Sequence, residues 1–514
     1  MPPISGVSTV LHSNHSSTRS NETYPSSNST SPHGAAVLYL PPNSLAHSSK
    51  LFIGPNATDP LLISSAPGAL PTGIISATTG PALRQAAILW YKDKNETEKE
   101  GTDEDEDDDP EGVRALLCPT LAVDKNVKDN TLPFVLHCYS QWAIARVFQP
   151  VKVAHAMREQ VVAQFSSERT RKRTILIANV MDVFARDLSI DATRLFILNH
   201  LVLDGHKSGS SFMALASSAP ALDRHKAMRT LDSILETFSL QIFTQPFAAC
   251  IQSLDYAAPV FRCACPEPLG QSVNLANIML GSDISLQYFA NLDIIHSVTS
   301  GRPTYIQYEV PFSLELCEQT YWLQDRYDLQ WYLGFPVQFI LLFAWINSLC
   351  EIPGAGNKLE LVAWIETSLP QIKIAIDESS DSSLRIGRMV VQECWRFAVL
   401  IYLYMVLCKA DAHDPRVRRA QQGFMRLVRG VKPGRNPDAH LSPPMIVGGV
   451  ATISERDRDT LRQRILGIQE FAERGTVGND YVLELEDVWA RTRDEGRPAL
   501  WSDLRIACLK VTGR

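Results

Sequence analysis

From Leu132 onward, apolar residues recur at three- and four-residue intervals, the period of helices with one buried face. The densest stretch runs from Arg385 to Ala410. Between Met389 and Cys408 only Gln392, Glu393 and Arg396 are strongly polar. A helix apolar nearly all round is buried on most sides, so this segment is predicted to be the central helix of a large all-α domain. Its uninterrupted apolar run, Phe397 to Cys408, is shorter than the roughly 20 residues that cross a bilayer, and no membrane partner is expected.

The same spacing predicts the neighbouring helices. PFVLHCYSQWAIARVF starts with Pro133 in its first turn and stops at Pro150. Helices are expected near 151–165, 169–185 and 191–204, with GHKSGSS as a loop after the last. Asp223 caps a long helix to about Thr244 carrying Leu231, Leu235 and Phe238 on one stripe. Pro246, Pro259, Pro266 and Pro268 are expected to break up the next stretch of chain. A helix near 283–298 ends at TSGRP, an extended connector PTYIQYEVPF comes after it, and Ser313–Gln324 is helical. Pro336 opens VQFILLFAWINSLC, and LELVAWIETSL ends at Pro370. Beyond the central helix, Phe424, Leu427, Val428 and Val431 share one face of an arginine-rich amphipathic helix that ends at PGRNPD. Two further helices come next, with Gly448 and Gly449 at a close helix contact. A last pair is anchored by Trp489 and Trp501.

Composition changes the picture at the N-terminus. Residues 1 to about 80 are rich in Ser, Asn, Thr, Pro and Gly without hydrophobic period, and are expected to be disordered. The acidic segment 93–111 lies within KDKNETEKEGTDEDEDDDPEG and has apolar flanks. Two readings stay open for it: a solvated linker, or a segment that recruits transcription machinery. The expected organisation is a disordered region over 1–130 and an all-helical region over 131–514. The formal charge of -7 argues against coating nucleic acid through the overall field. The ten cysteines are scattered, several inside apolar helical patterns where a thiol acts as a small hydrophobe.

Candidate chemistry is sparse. GHKSGS lacks the spacing of a phosphate-binding loop and of a nucleophile elbow. Cys263 and Cys265, one residue apart without a second Cys/His pair, make a weak metal signal. No paired C-x-x-C, no H-E-x-x-H and no nucleophile-base set is legible. No catalytic residue, cofactor or metal ligand is therefore expected. Gln392, Glu393 and Arg396 share one side of the central helix. They either satisfy one another and a neighbouring helix, or form the polar groups of a ligand pocket between 336–350 and 389–408.

Several stretches carry a family likeness in their order: PFVLHCYSQWAIARVF, DIIHSVTSGRPTY, FPVQFILLFAWINSL, VQECWRFAVLIYLYMVLC and HDPRVRRAQQGFMRLVRGVKPGRNPDAHLSPPMIVGGVA, then ERDRDTLRQRI and VWARTRDEGRPALWSDLR. From about Pro133 the chain resembles the fungal-specific transcription factor domain in its second, divergent form. That is a helical regulatory region usually C-terminal to a six-cysteine zinc cluster. The resemblance implies a non-catalytic regulatory role, a nuclear location, contact with transcription machinery or co-regulators, and homo- or heterodimers. Residues 1–117 contain no cysteine, so direct sequence-specific DNA binding is not expected of this polypeptide. The alternative is a cytoplasmic helical scaffold derived from that family.

Overall fold

The computed structural model describes residues 109–118, 131–185, 190–216, 223–323, 328–375 and 379–514. The expectations for residues before Asp109, most of the acidic segment among them, lie outside these. The first helices are α1 Val113–Leu117, α2 Thr131–Arg146, α3 Pro150–Gln164 and α4 Glu168–Ala185. Three long ones come next and pack on one another: α5 Ala192–Ala216, α6 Arg224–Thr244 and α7 Phe247–Ala264. A short parallel ladder joins β1 Val273–Asn274 to β2 Tyr308–Glu309, with α8 Leu275–Leu280 and α9 Ile284–Ser300 between them. Then come α10 Leu314–Trp322, α11 Asp328–Leu333, α12 Val337–Cys350 and α13 Leu359–Ser368.

The helix predicted as central is α14, Ser382–Tyr402, continued by a π-helical turn over Leu403–Leu407. Asp381 caps it by accepting the N–H groups of Ser383 and Leu384. It packs against α12 and against α15 Pro415–Gly430 and α16 Arg435–Val450. With its extension, 382–407 is long and apolar enough to span a membrane by length and composition, and 67% of its 18-residue apolar window is buried inside the fold. Gln392 and Arg396 bond to the chain that covers them. The chain closes with α17 Glu455–Leu466, α18 Gln469–Ala472, α19 Val477–Asp494 and α20 Trp501–Thr512. The described residues are thus all-α apart from the two-residue strands.

Two local expectations fail, each because packing outweighs local propensity. GHKSGSS is not a loop but the middle of α5. Gly205 and Gly209 lie four residues apart, facing α6. A β-carbon on Gly205 would stand 3.3 Å from the Ser233 carbonyl, and one on Gly209 3.2 Å from Ile234 Cδ1. Small residues let the helices close, and the contact offsets the poor helix propensity of glycine. Pro259 does not break α7, whose Ala257, Val260 and Phe261 are buried around it. Pro443 and Pro444 likewise lie inside α16, which begins before them and kinks at Asn436. The glycine expectation nearby is met. A β-carbon on Gly448 would meet the Phe424 ring at 2.7 Å, one on Gly449 would meet Leu485 at 2.7 Å, and Trp489 Nε1 donates to the Gly449 carbonyl at 2.9 Å.

The helical body also includes residues 109–118, which precede the expected boundary at 131. Val113 and Leu117 are buried against α2 and α3. Asp109 accepts the N–H groups of Val113 and Arg114. Glu111 takes a two-pronged ion pair from Arg388 of α14, at 2.9 and 2.5 Å, with the arginine side chain only 2% exposed. Arg388→Met is expected to release α1, because it leaves Glu111 without its cation. Limited proteolysis should then cut near residues 109–118 while leaving the rest resistant. Unchanged protection would show that the apolar contacts of α1 hold it unaided.

Candidate functional site

Helices from both halves of the chain enclose two adjacent cavities. The inner one, about 130 Å³, is lined by α2 (Trp142), α6 (Phe238, Ile242), α7 (Phe247, Cys250), α9 (Tyr288, His296), α16 (His440) and α19 (Tyr481), among others. The outer one, about 740 Å³, is partly open, with Asn199, His206, Gln241, Gln245 and Gln252 as well as Arg435, Glu470, Glu473 and Arg474 among its lining residues. Arg146 and Phe243 line both and form their common wall. The outer volume falls in the range of ordinary small-molecule sites, about 300–1,000 Å³. The inner one is near the roughly 150 Å³ apolar cavity that accepts a benzene ring.

The common wall is an aromatic and ionic cluster. The Arg146 guanidinium lies 4.8 Å from the Phe243 ring centre, and Phe243 stacks on Phe471 at 5.7 Å and meets Trp142 edge-on at 5.7 Å. Glu470 pairs with Arg146 at 2.6 Å and with Arg435 at 2.9 and 3.0 Å. The four-residue helix α18 is thereby tied to α2 and to the start of α16. Gly478 makes room for this cluster, since a β-carbon there would overlap the Phe471 ring.

A one-way hydrogen-bond relay lines the outer cavity. Ser253 Oγ donates to Gln241 Oε1 at 2.9 Å, Gln241 Nε2 to Gln245 Oε1 at 2.8 Å, and Gln245 Nε2 to Asn199 Oδ1 at 2.8 Å. His206 Nε2 lies 3.0 Å from Ser253 Oγ. Because the serine proton is committed to Gln241, His206 must be the donor. Burial lowers its pKa and keeps the ring neutral. The serine-histidine pair thus runs in the wrong direction for a general base and its nucleophile. At the far end the Asn199 amide, with its oxygen occupied, presents N–H donors to the open space.

The inner cavity carries an unsatisfied group. His296 is 6% exposed, and its Nε2 has no hydrogen-bond partner. Burial, reinforced by Arg302 and Arg505, drives its pKa down to about 3, so it is neutral. Burial likewise lowers His440 to about 4 and pushes the Cys250 thiol up. The histidines and the thiol here are held in their uncharged forms, which suits a binding chamber more than acid-base work.

The residues singled out from sequence lie elsewhere. Gln392 donates Nε2 to the Ala375 carbonyl at 3.1 Å and accepts the Ala375 N–H at 3.0 Å. Arg396 donates Nε to Glu393 at 3.0 Å, Nη2 to the Ile372 carbonyl at 3.0 Å and Nη1 to the Leu369 carbonyl. They pin the connector after α13 onto α14, and none of the three lines either cavity. Cys263 and Cys265 are buried thiols whose pKa values burial raises, that of Cys265 to about 12. Among the described residues no group of three His, Cys, Asp or Glu is placed to hold a metal ion. On α15 the predicted face is inward, with Phe424 and Val428 buried, while Arg418, Arg419 and Arg426 face solvent.

Arg146, Asn199, Phe243, His296 and Arg474 went unnoticed in the sequence. They come from five separate elements, and no local pattern unites them. A histidine inside the apolar run DIIHSV is the one hint, and it is equally the mark of a satisfied core residue.

Residues 281–508 match the family model described as Fungal specific transcription factor domain. The resemblance read from the sequence is established over that span, and PFVLHCYSQWAIARVF lies before it. A regulatory role is what this family implies. No curated protein and no solved structure matches the chain. The matched span supplies α9, α11, α16, α18 and α19 to the cavity walls, whereas α2, α5, α6 and α7 come from the preceding chain.

Proposed function

We propose that this chain is a non-catalytic regulatory region of a fungal transcription regulator, acting in the nucleus, whose output depends on occupancy of the two cavities. The observation that carries the reading is the placement of the cavities between the matched helices and the helices before them. A ligand held there touches both sets and stabilises their arrangement by mass action. The neutral histidines, buried thiol and reversed serine-histidine pair support a binding role. Co-regulators or transcription machinery would read the result through the exposed helix faces, and homo- or heterodimers would do so as pairs. The 514 residues contain no C-x-x-C pair, so a zinc cluster within them does not supply the DNA address.

The test is a fusion of the whole chain to an unrelated DNA-binding domain in a fungal host, beside an Ala439→Phe form. Ala439 lines the inner cavity, and the larger ring fills it. A version lacking residues 81–108 retains Glu111 and α1. The wild-type fusion is expected to change reporter output, and Ala439→Phe to lock that output at one level. If all three fusions are expressed, nuclear and silent, the scaffold alternative takes the place of this reading.

A further inference from the structure

The chemistry of the two chambers narrows the ligand, on the reading that they are its site. The outer chamber offers donors. Its relay leaves the Asn199 amide N–H groups facing the space, and Arg474 is exposed on its rim with no ion pair among the described residues. Three guanidinium groups, Arg146, Arg435 and Arg474, stand against two carboxylates, Glu470 and Glu473, so one positive charge is left over. Planar guanidinium forks match carboxylates geometrically. The inner chamber holds roughly one aromatic ring and is walled by Trp142, Phe238, Phe247 and Tyr288. His296 Nε2, a buried polar atom in its wall, makes no hydrogen bond. Arg146 and Phe243 line both chambers, so a ligand that spans them turns these two side chains aside.

We propose that the site binds a small hydroxyaryl carboxylic acid. Its ring enters the inner chamber with the hydroxyl on His296, and its carboxylate stays in the outer chamber with Asn199 and Arg474. The apolar walls supply area, the histidine reads the hydroxyl, and the guanidinium and amide donors read the charge.

Calorimetric titration of the full chain tests this with 3-(4-hydroxyphenyl)propanoate, the corresponding amide, 3-phenylpropanoate and hexanoate. The hydroxyaryl acid is expected to bind about tenfold more tightly than the amide, and about fivefold more tightly than the acid without the hydroxyl. Hexanoate is expected to be weaker than either acid with a ring. Arg474→Gln, an exposed change that leaves the core intact, should weaken the acid about tenfold and leave the amide unchanged. Ala439→Phe should abolish binding of every aryl compound. Equal affinity for acid and amide, or an Arg474→Gln chain that binds the acid unchanged, would overturn the carboxylate assignment. Equal affinity for the two aryl acids would overturn the role of His296. If Ala439→Phe alters reporter output while none of the four compounds binds, the ligand class falls and the regulatory reading stands. If none binds and the reporter ignores Ala439→Phe, both fall.

Discussion

Replacing Glu470 with alanine is expected to destabilise the fold by about 3–5 kcal/mol, the usual effect of leaving a buried charge without its partner. The Arg146 side chain is only 2% exposed, and Glu470 faces both its guanidinium and that of Arg435. Burial makes this effect large, because water cannot solvate the guanidinium that remains. Urea unfolding should show a lower midpoint at unchanged slope. Changing Arg146 to methionine in the same chain should restore most of the loss, since the uncompensated charge goes with it. A loss below about 1 kcal/mol, the scale of an exposed pair, would mean that the trio is solvated. It would then not be what ties α2, α16 and α18 around the cavities.

The stability that two buried carboxyls contribute is expected to fall as pH rises from 5 to 7.5. Burial raises Asp293 from 3.8 to about 7, although it accepts the N–H groups of Tyr305 at 2.7 Å and Ile306 at 3.2 Å and the Tyr308 hydroxyl at 3.0 Å. Burial also raises Glu484 well above its ordinary value, with Asp480 adding repulsion. The folded chain keeps protons here that the unfolded chain has lost. The contribution is complete below about pH 4 and is lost as pH rises through the folded value, at up to roughly 1.4 kcal/mol per pH unit and group. Asp414 and Glu455, pulled below the ordinary range by Arg416 and Arg462, titrate under this window, whereas His296 and His440, held neutral by burial, gain stability across it as the unfolded imidazoles lose their protons. Glu484→Gln keeps the side-chain shape and removes one titration. Its melting temperature should match wild type at pH 5 and exceed it at pH 7.5. A glutamine variant whose stability follows pH as the wild type does would remove Glu484 from the account.

Much of the helical order was legible because it is written in short-range repeats. Asp223, Ser313 and the proline stops bound α6, α10 and α13 through hydrogen bonds and sterics reaching only a few residues. Gly448 and Gly449 were readable as a close helix contact for the same reason. The errors fall where a distant surface decides. Gly205 and Gly209 are helical because α6 lies against them. Pro259 remains inside α7 because the helix is buried on both sides of it. Glu111, in an acidic run that reads as solvated, is half-buried because Arg388 waits more than two hundred residues away.

What the sequence by itself determined is the all-α class, the order and approximate limits of most helices, and the likeness of its later part to a regulatory family. Each rests on periodicity, caps or ordered motifs, which are local. The tertiary structure alone decided where the cavities lie. Gln392, Glu393 and Arg396 were conspicuous as polar interruptions in an apolar helix, yet backbone carbonyls of the 369–375 connector engage two of them. The cavities instead gather Asn199, Phe243, His296 and Arg474 from separate helices and turns. A void is what packed helices fail to fill, and its lining depends on crossing geometry between elements far apart in the chain. No spacing within one segment encodes that.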